Sequence, residues 1–376
     1  MRNHRYLVLT PEAFGGFGGI AQFMADFLTA LCAHRDTVSV IALPRHIKEE
    51  ASSLPQRLQY RRHGLGGKIA YVRAVWSLRS SAVGPITAVF CGHIRLLALA
   101  AWLSHHHRAP LVLMIYGIDV FAPPAQLGVR RALRHVAACI AMSHWTTGRF
   151  SQWAGQYATF IIPDSVDLTR FSPGPKPPVL EARYGVSGKR VIMSLGRMAA
   201  SERYKGFDEV LEVLPTLLEK NPEIVYVLVG DGDDRDRLQE KAMALGLERH
   251  VRFAGRIPEG EKTEHYRLAD AFVMPSRLEG FGFVFIEAMA CGIPVVGSTI
   301  DGSREALQFG TLGTLVDPDD PDDIRRGIEK ALASQRGVVP SGLHEFSSTR
   351  FAERIGQMLE ALNPADSRTA AERVLV

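Results

Sequence analysis

Cysteine is scarce in this chain, which has 376 residues and only four cysteines. Cys32, Cys91, Cys139 and Cys291 are widely separated in apolar segments, with no C-x-x-C pair and no short Cys/His spacing. Such scattered positions argue against a zinc site. We interpret the four residues as buried thiols of a cytoplasmic protein.

Long hydrophobic runs are also missing. The longest apolar stretch, Leu96 to Leu103, is far shorter than the roughly 20 residues that a helix needs to cross a bilayer. The first residues, MRNHRYLVLT, lead directly into a strand-like segment. The sequence therefore predicts neither a signal peptide nor a transmembrane helix.

No pattern of metal ligands stands out. His105, His106 and His107 are consecutive, and consecutive residues of a helix point about 100° apart, so the three rings cannot converge on one ion. We expect them to form a polar helix end, and we expect no metal and no other cofactor.

Charge is unevenly distributed, although the net charge is only +4. Residues 1–175 contain 18 Lys and Arg against 8 Asp and Glu, whereas residues 176–376 contain 26 against 32, so the two parts carry +10 and −6. A basic surface attracts anionic membranes, nucleic acid or phosphorylated substrates. A solvated face without a partner is the alternative.

Short β-branched runs alternate with helical patterns, which predicts parallel sheets covered by helices. A proline-rich segment, 173–178, interrupts this alternation and has the composition of an interdomain linker. We predict two Rossmann-like, doubly wound α/β domains, 1–172 and 173–343, facing a central cleft at the carboxyl ends of their strands. Residues 344–376 are predicted to form a helix that packs back on the first domain, followed by a tail.

Two glutamates occupy the segment after the predicted strand AFVMP. Glu279 lies in a loop, where it can accept hydrogen bonds from sugar hydroxyls, and Glu287 lies two turns into the next helix, where it can reach a ribose diol. Gly280 and Gly282 allow close backbone approach, and amides at a helix N-terminus suit a diphosphate. These amides belong to Phe281, Gly282, Phe283 and Val284. An amphipathic helix with Glu287 facing solvent is the alternative.

A second glycine-rich loop follows the first predicted strand. Gly15, Gly16, Gly18 and Gly19 would let the backbone close over a diphosphate, with a simple hinge as the alternative. The loop also fits G-x-G-x-x-A, which is typical of dinucleotide binding. No acidic residue ends the second strand, however, where Pro44 and Arg45 stand instead, so the usual acceptor for an NAD ribose is missing.

The segment EGFGFVFIEAMACGIPVVGSTIDGSREAL resembles the hallmark of the family 4 glycosyltransferases of the GT-B fold. The resemblance covers almost the whole chain, through FGGFGGIAQF, AMSHWTTGRF, IIPDSVDLTRFSP, SLGR, YKGFD, VGDGDDRDRL, FAGRIP and LADAFVMPSRLEGFG. It implies a retaining glycosyltransferase that moves a hexose from a nucleotide-diphosphate sugar without a metal ion.

The resemblance also implies roles for individual residues. Arg197 and Lys205 are expected to grip the donor diphosphate, and Arg256 and Ile257 to line the base pocket. Glu287 should hold the ribose, Glu279 should touch the transferred sugar, and Asp231 should support the pocket.

The acceptor side is less defined. Relatives often have a histidine after the strand PLVLMIYG, where this chain has Tyr116. Asp119 is the acidic residue best placed near an acceptor hydroxyl, and His93 also faces the predicted cleft. We include all three in the predicted site, with Asp119 among the catalytic residues.

The expected partners are a nucleotide sugar, a saccharide or lipid-linked saccharide acceptor, and an anionic membrane surface that the basic first domain contacts; nucleic acid is not expected. GDP-mannose is preferred as donor over UDP-glucose, UDP-galactose and UDP-N-acetylglucosamine. A non-catalytic nucleotide-sugar binding protein and an NADP-linked oxidoreductase remain as alternatives. The cations near lipid headgroups would be Arg57, Arg61, Arg62, Lys68, Arg130, Arg131 and Arg134.

Overall fold

The computed structural model describes residues 3–47, 53–80 and 83–362. The chain forms two units, one of residues 1–165 and 348–376 and the other of residues 166–347. No helix among the described residues is both long and apolar enough to span a bilayer.

The borders of the units lie a few residues from the predicted 172/173 and 343/344, because the flanking segments bond within the second unit. The Val166 amide donates to the carbonyl of Phe346 at 2.8 Å. The guanidinium of Arg267 donates to the carbonyl of Ser172 at 2.9 Å. These contacts place residues 166–172 and 344–347 with the second unit.

The first unit contains a seven-stranded parallel sheet in the order β3-β2-β1-β4-β5-β6-β7. The strands are β1 (His4–Thr10), β2 (Thr37–Pro44), β3 (Leu58–Tyr60), β4 (Ala88–Cys91), β5 (Leu111–Ile115), β6 (Val136–Ala141) and β7 (Thr159–Ile161). The helices are α1 (Gly19–Ala33), α2 (Lys68–Ser77), α3 (Leu97–His107), α4 (Leu127–Ala132) and α5 (His144–Ala154).

Helices cover both faces of this sheet, which explains why its central strands are apolar without alternation. One face packs against α2 and α3 through residues such as Leu7, Leu113 and Leu103. On α1, Phe27 packs against Phe90 with ring centroids 5.0 Å apart. The predicted doubly wound domain is confirmed, while the short strand β3 and the helix α2 were not predicted.

The second unit contains a six-stranded parallel sheet in the order β10-β9-β8-β11-β12-β13. Its helices are α6 (Pro178–Tyr184), α7 (Phe207–Lys220), α8 (Arg235–Ala244), α9 (Lys262–Leu268), α10 (Phe283–Ala290), α11 (Ser303–Ala306) and α12 (Pro321–Ala333). Its strands are β8 (Arg190–Leu195), β9 (Ile224–Val229), β10 (Val251–Gly255), β11 (Ala271–Val273), β12 (Val295–Ser298) and β13 (Thr314–Val316).

The last described helix, α13 (Ser348–Ala361), belongs to the first unit. Its apolar face packs on α1, where Phe351 meets Phe23 with ring centroids 5.5 Å apart. The tail predicted beyond it, from residue 363, lies outside the described residues.

All four cysteines are buried and free, as predicted. Burial raises the pKa of each thiol, Cys32, Cys91, Cys139 and Cys291, to about 12. The thiols therefore act as small apolar side chains of the core.

Candidate functional site

The predicted donor residues of the second unit follow neighbouring strands of its sheet. Arg197 comes two residues after β8, and Glu279 lies between β11 and α10. Because β8 and β11 are adjacent and parallel, both loops leave the same edge of the sheet. Asp231 and Arg256 follow β9 and β10, on the other side of β8. The carboxyl edge of this sheet therefore carries all four loops.

Two glycine contacts hold these loops together. A Cβ on Gly230 would overlap the carbonyl oxygen of Gly196, and Gly230 has a φ of 133°. A Cβ on Gly302 would overlap the carbonyl oxygen of Gly280, and the Gly302 amide donates to the carbonyl of Glu279 at 2.8 Å. Glycine alone permits such close backbone packing. The loops of Arg197 and Glu279 are thus held by their backbones as well as by side chains.

Two cations and two carboxylates form a cluster at this edge. The guanidinium of Arg197 is hydrogen-bonded to the carboxylate of Glu202. The Nζ of Lys205 lies 3.8 Å from Glu202 Oε2 and 3.4 Å from Glu279 Oε2. Glu202 is buried, whereas Arg197 is exposed. The structure therefore brings Arg197, Lys205 and Glu279 together around Glu202, a residue that the sequence interpretation missed.

Asp301 orders the loop that carries Glu279. Its carboxylate accepts the Glu279 amide at 2.8 Å and the hydroxyls of Ser276 and Ser303, each at 2.6 Å. Burial raises the pKa of Asp301 to about 6, while these hydrogen bonds act in the opposite direction. Asp301 thus sets the backbone position of Glu279.

The helix α10 begins directly after Gly282, whose φ is 98°. No side chain caps this end, and its first turn contains no acidic residue. Phe283 and Val284 are half-buried, while Phe281 is buried against Phe346, with ring centroids 5.2 Å apart. The first amides of a helix have no acceptor within the helix, so this end favours an anion.

Glu287 is buried on α10 and has two partners from α9. Its Oε1 lies 2.7 Å from Lys262 Nζ, and its Oε2 accepts the hydroxyl of Tyr266 at 2.7 Å. Burial raises the pKa of Tyr266 well above its usual range, and the charge of Glu287 adds to that shift. A carboxylate accepts about four hydrogen bonds, so these two partners leave acceptor capacity for a further donor. The alternative of a solvent-facing Glu287 is wrong.

The remaining donor-side residues lie at the end of the same edge. Asp231 is exposed, and its Oδ1 lies 3.6 Å from Arg235 Nη1. Arg256 is exposed and Ile257 half-buried, directly after β10. These three residues therefore do not belong to the cluster around Glu202. They form an accessible surface beside it.

The glycine loop of the first unit is compact. Gly18 has a φ of 87° and precedes α1, which begins at Gly19. A Cβ on Gly16 would lie 2.7 Å from the Cβ of Glu12 and 2.8 Å from that of Ala21. The loop therefore needs glycine at position 16 for packing and at position 18 for its backbone angle.

The half-buried His93 and the buried Asp119 lie next to each other at the carboxyl ends of β4 and β5. His93 Nε2 lies 3.4 Å from Asp119 Oδ1, and His93 Nδ1 accepts the amide of Arg95 at 3.1 Å. Burial lowers the pKa of His93 to about 4 and raises that of Asp119 to about 7. With Nδ1 as acceptor, the neutral ring carries its proton on Nε2, the nitrogen that faces the Asp119 carboxyl group.

Tyr116 lies beside this pair. Its amide donates to Asp119 Oδ2 at 3.4 Å, and its ring centroid lies 6.5 Å from that of His93. Burial raises the pKa of its phenol well above the usual range. The structure therefore brings together the three residues predicted for the acceptor side.

Four residues with clear structural roles at the site escaped the sequence interpretation: Glu202, Asp301, Lys262 and Tyr266. Weak signals existed for some of them. Glu202 lies in the stretch between the two predicted diphosphate ligands, and Lys262 and Tyr266 are four residues apart, which places them on one helix face. Their partner carboxylates, however, are distant in sequence.

Comparisons with known proteins identify the family. Residues 182–344 match the model of the family described as glycosyl transferases group 1. Over 271 residues, the chain is 32% identical to the GDP-mannose-dependent alpha-(1-6)-phosphatidylinositol monomannoside mannosyltransferase of Mycolicibacterium smegmatis, covering 69% of this chain and 70% of that protein. This chain belongs to the glycosyl transferases group 1 family.

Two further matches cover more of this group 1 glycosyltransferase. The protein of the same name from Mycobacterium tuberculosis is 28% identical over 358 residues, covering 90% of this chain and 91% of that protein. The crystal structure of Anabaena HepE in complex with UDP and glucose superposes with a TM-score of 0.76 at 20% identity, covering 95% and 100% of the two chains. The fold is accordingly the two-domain, Rossmann-like GT-B fold, as predicted.

The family assigns the chain a nucleotide-sugar-dependent glycosyltransferase activity. It favours neither a binding protein without catalysis nor an oxidoreductase. Among residues 3–47, 53–80 and 83–362, no three His, Cys, Asp or Glu side chains are grouped so that they could hold a metal ion.

Proposed function

We propose that this glycosyltransferase transfers mannose from GDP-mannose, with retention of configuration, to a hydroxyl of a saccharide or lipid-linked saccharide in glycan or exopolysaccharide biosynthesis. The observation that carries the site assignment is the cluster of Arg197, Lys205, Glu202 and Glu279 at one sheet edge. The choice of GDP-mannose rests on the names of the two mycobacterial relatives.

Arg197 and Lys205 bind the donor diphosphate in this proposal. Both cations face carboxylates, so the negative charge that grows on a departing diphosphate would meet positive groups that are already oriented. The exposed guanidinium offers a planar fork of donors, and the ammonium offers a point charge. The amides of residues 281–284 at the start of α10 would add hydrogen bonds.

The two glutamates bind the two sugars of the donor. Glu279 Oε2 lies 3.4 Å from Lys205 Nζ. The Glu279 carboxylate can therefore accept hydrogen bonds from the hydroxyls of the transferred hexose, next to the cations that bind the diphosphate. Glu287 keeps acceptor capacity beyond Lys262 and Tyr266, which suits a ribose diol. The base would lie toward Arg256 and Ile257.

We assign His93, Tyr116 and Asp119 to the acceptor side. The transition state resembles an oxocarbenium ion, and we propose that the acceptor hydroxyl attacks from the face that the diphosphate leaves. An oxygen of the leaving diphosphate takes the hydroxyl proton. The reaction needs no metal ion, because the cations of the cluster stabilise the leaving group.

The proposal also includes a contact between the enzyme and a membrane surface. We propose that the basic first unit binds anionic lipid headgroups peripherally and thereby reaches a lipid-linked acceptor. The charge of +10 on residues 1–175 supports this contact.

A calorimetric panel of GDP-, UDP-, ADP- and dTDP-sugars tests the donor, with GDP-mannose expected to bind most tightly. Mannosyl transfer from GDP-mannose in the presence of EDTA tests the metal independence. Glu287→Ala should weaken donor binding strongly and Lys205→Ala should lower turnover, whereas Glu240→Ala on the surface of α8 should change neither. Equal activity in all three variants would refute the site assignment, and tighter binding of a UDP-sugar would refute the donor.

A further inference from the structure

The helix α2 presents apolar side chains on two opposite sides. Tyr71, Ala74 and Val75 are buried in the core of the first unit. Ile69, Val72 and Trp76 are 71%, 48% and 49% exposed. Their spacing of three and four residues places them within about 60° of each other around the helix. An exposed apolar row of this kind is unusual for a side of a helix that only meets water.

Cations flank this row. At about 100° per residue, Lys68 and Arg73 lie on either side of it, and both are exposed. The guanidinium of Arg79, just after α2, lies 4.1 Å from the centre of the Trp76 ring. Trp76 in turn stacks on Trp102 of α3, with centroids 4.9 Å apart and planes at 11°. The row is therefore built from apolar groups, an aromatic pair and surrounding positive charge.

Acidic residues are scarce in the part of the sequence that contains α2. Residues 51–163 contain twelve Lys and Arg but a single acidic residue, Asp119, which is buried. The helix α3, which packs against α2, contains no acidic residue. An exposed apolar row with tryptophan and flanking cations, in a part of the chain whose described segments 53–80 and 83–163 contain only one acidic residue, the buried Asp119, has the chemistry of a segment that lies in the interface of an anionic bilayer.

We propose that α2 is the membrane-docking segment of this glycosyltransferase. Ile69, Val72 and Trp76 enter the headgroup region of an anionic lipid surface while Lys68, Arg73 and Arg79 bind the lipid phosphates. This inference rests on the membrane contact proposed above and assigns it to one helix. It differs from the sequence expectation, in which Arg130, Arg131 and Arg134 of the α4 region shared the contact.

Vesicle co-sedimentation of the full chain tests the proposal. The vesicles contain phosphatidylcholine with 30 mol% phosphatidylglycerol in one arm and phosphatidylcholine alone in the other. The wild-type protein is expected to bind the anionic vesicles. Each cation near such a surface contributes about fivefold to binding, so Lys68→Gln with Arg73→Gln should lower the partition coefficient about 25-fold. Ile69→Ser with Val72→Ser should lower it at least tenfold, because the apolar part of the contact is lost.

Matched controls come from the second unit. Val179→Ser changes an apolar side chain that is as exposed as Ile69, at 71%, and Arg249→Gln removes an exposed cation. Both should bind vesicles like the wild-type protein. The Tm of every variant should match that of the wild-type protein, which shows that each variant is folded.

The outcomes separate the two proposals. No binding of the wild-type protein at low salt would overturn the membrane contact and this inference with it, but not the transferase function. If the wild-type protein binds and the α2 variants bind equally well, the assignment to α2 is overturned, while the membrane contact itself stands. A dimer in light scattering that becomes a monomer in the Ile69→Ser, Val72→Ser variant would also overturn it, because the row would then be an interface between copies.

Discussion

The buried pair of Lys262 and Glu287 allows a quantitative prediction. In the wild-type protein the Lys262 ammonium is 2.7 Å from the Glu287 carboxylate, and the Lys262 side chain is 16% exposed. Lys262→Met removes this ammonium and leaves the buried Glu287 without its charge partner. Loss of one partner from a fully buried pair costs about 3–5 kcal/mol. Because this ammonium keeps some solvent contact and Tyr266 still donates to Glu287, we expect about 2 kcal/mol, which lowers the Tm by roughly 4–8 °C for a unit of this size.

A double-mutant cycle followed by calorimetry tests that reasoning. Glu287→Gln keeps the side-chain shape and an oxygen that accepts the Tyr266 hydroxyl, so the double variant Lys262→Met, Glu287→Gln should recover most of the lost Tm. The matched control is Lys220→Met, whose Nζ lies 3.7 Å from Glu329 in an exposed pair. Exposed pairs contribute about 0–1 kcal/mol, so this control should shift the Tm by no more than about 4 °C. Equal effects of Lys262→Met and Lys220→Met, or additive losses in the double variant, would refute the argument.

Three further predictions concern the loops and the first unit. Gly302→Ala forces its Cβ onto the carbonyl of Gly280, so the Glu279 loop must move, and kcat/KM should fall about 100-fold. Lys205→Gln removes a cation from the leaving group and should lower kcat by about 100-fold or more. Asp119→Asn should change the pH dependence of the Tm: the raised pKa of Asp119 stabilises the fold as pH falls from about 7 to 4, whereas the lowered pKa of His93 destabilises it from about 6.5 to 4. The variant should therefore lose Tm more steeply than the wild type between pH 7 and 5.

Each of these predictions has its own check. Gly260→Ala, where a Cβ would meet open space, should keep wild-type kcat/KM, and a similar loss there would remove the steric explanation. Lys220→Gln is the surface control for Lys205→Gln. For Asp119, a difference in Tm between wild type and variant that stays constant with pH would show that this carboxyl does not take up its proton in that range.

Much of the fold could be predicted because its elements are coded locally. The central strands are continuous apolar runs, such as β5 and β9, since both faces of each parallel sheet are covered. The helices α1, α7 and α10 carry local signals, because each has apolar periodicity and a glycine directly before its first residue. The weaker pattern of α2, apolar on two sides, and the three-residue strand β3 carry no such signal.

The site could be predicted only in part, and the missing part consists of pairings. The cations Arg197 and Lys205 were predicted from resemblance, but Glu202 between them has no pattern that distinguishes a buried counter-charge from a surface residue. Asp301 reaches the Glu279 amide from 22 positions away, and Lys262 reaches Glu287 from 25.

What the sequence determined by itself is the set of chemical groups and the strand ends that carry them. Parallel strands bring their carboxyl ends to one edge whatever the loops contain, so motifs after the strands already indicated a nucleotide-sugar site. Only the tertiary structure decided which charge neutralises which, and that α2 leaves an apolar row exposed. Burial and pairing depend on contacts between distant segments, and a linear pattern of residues does not contain those distances.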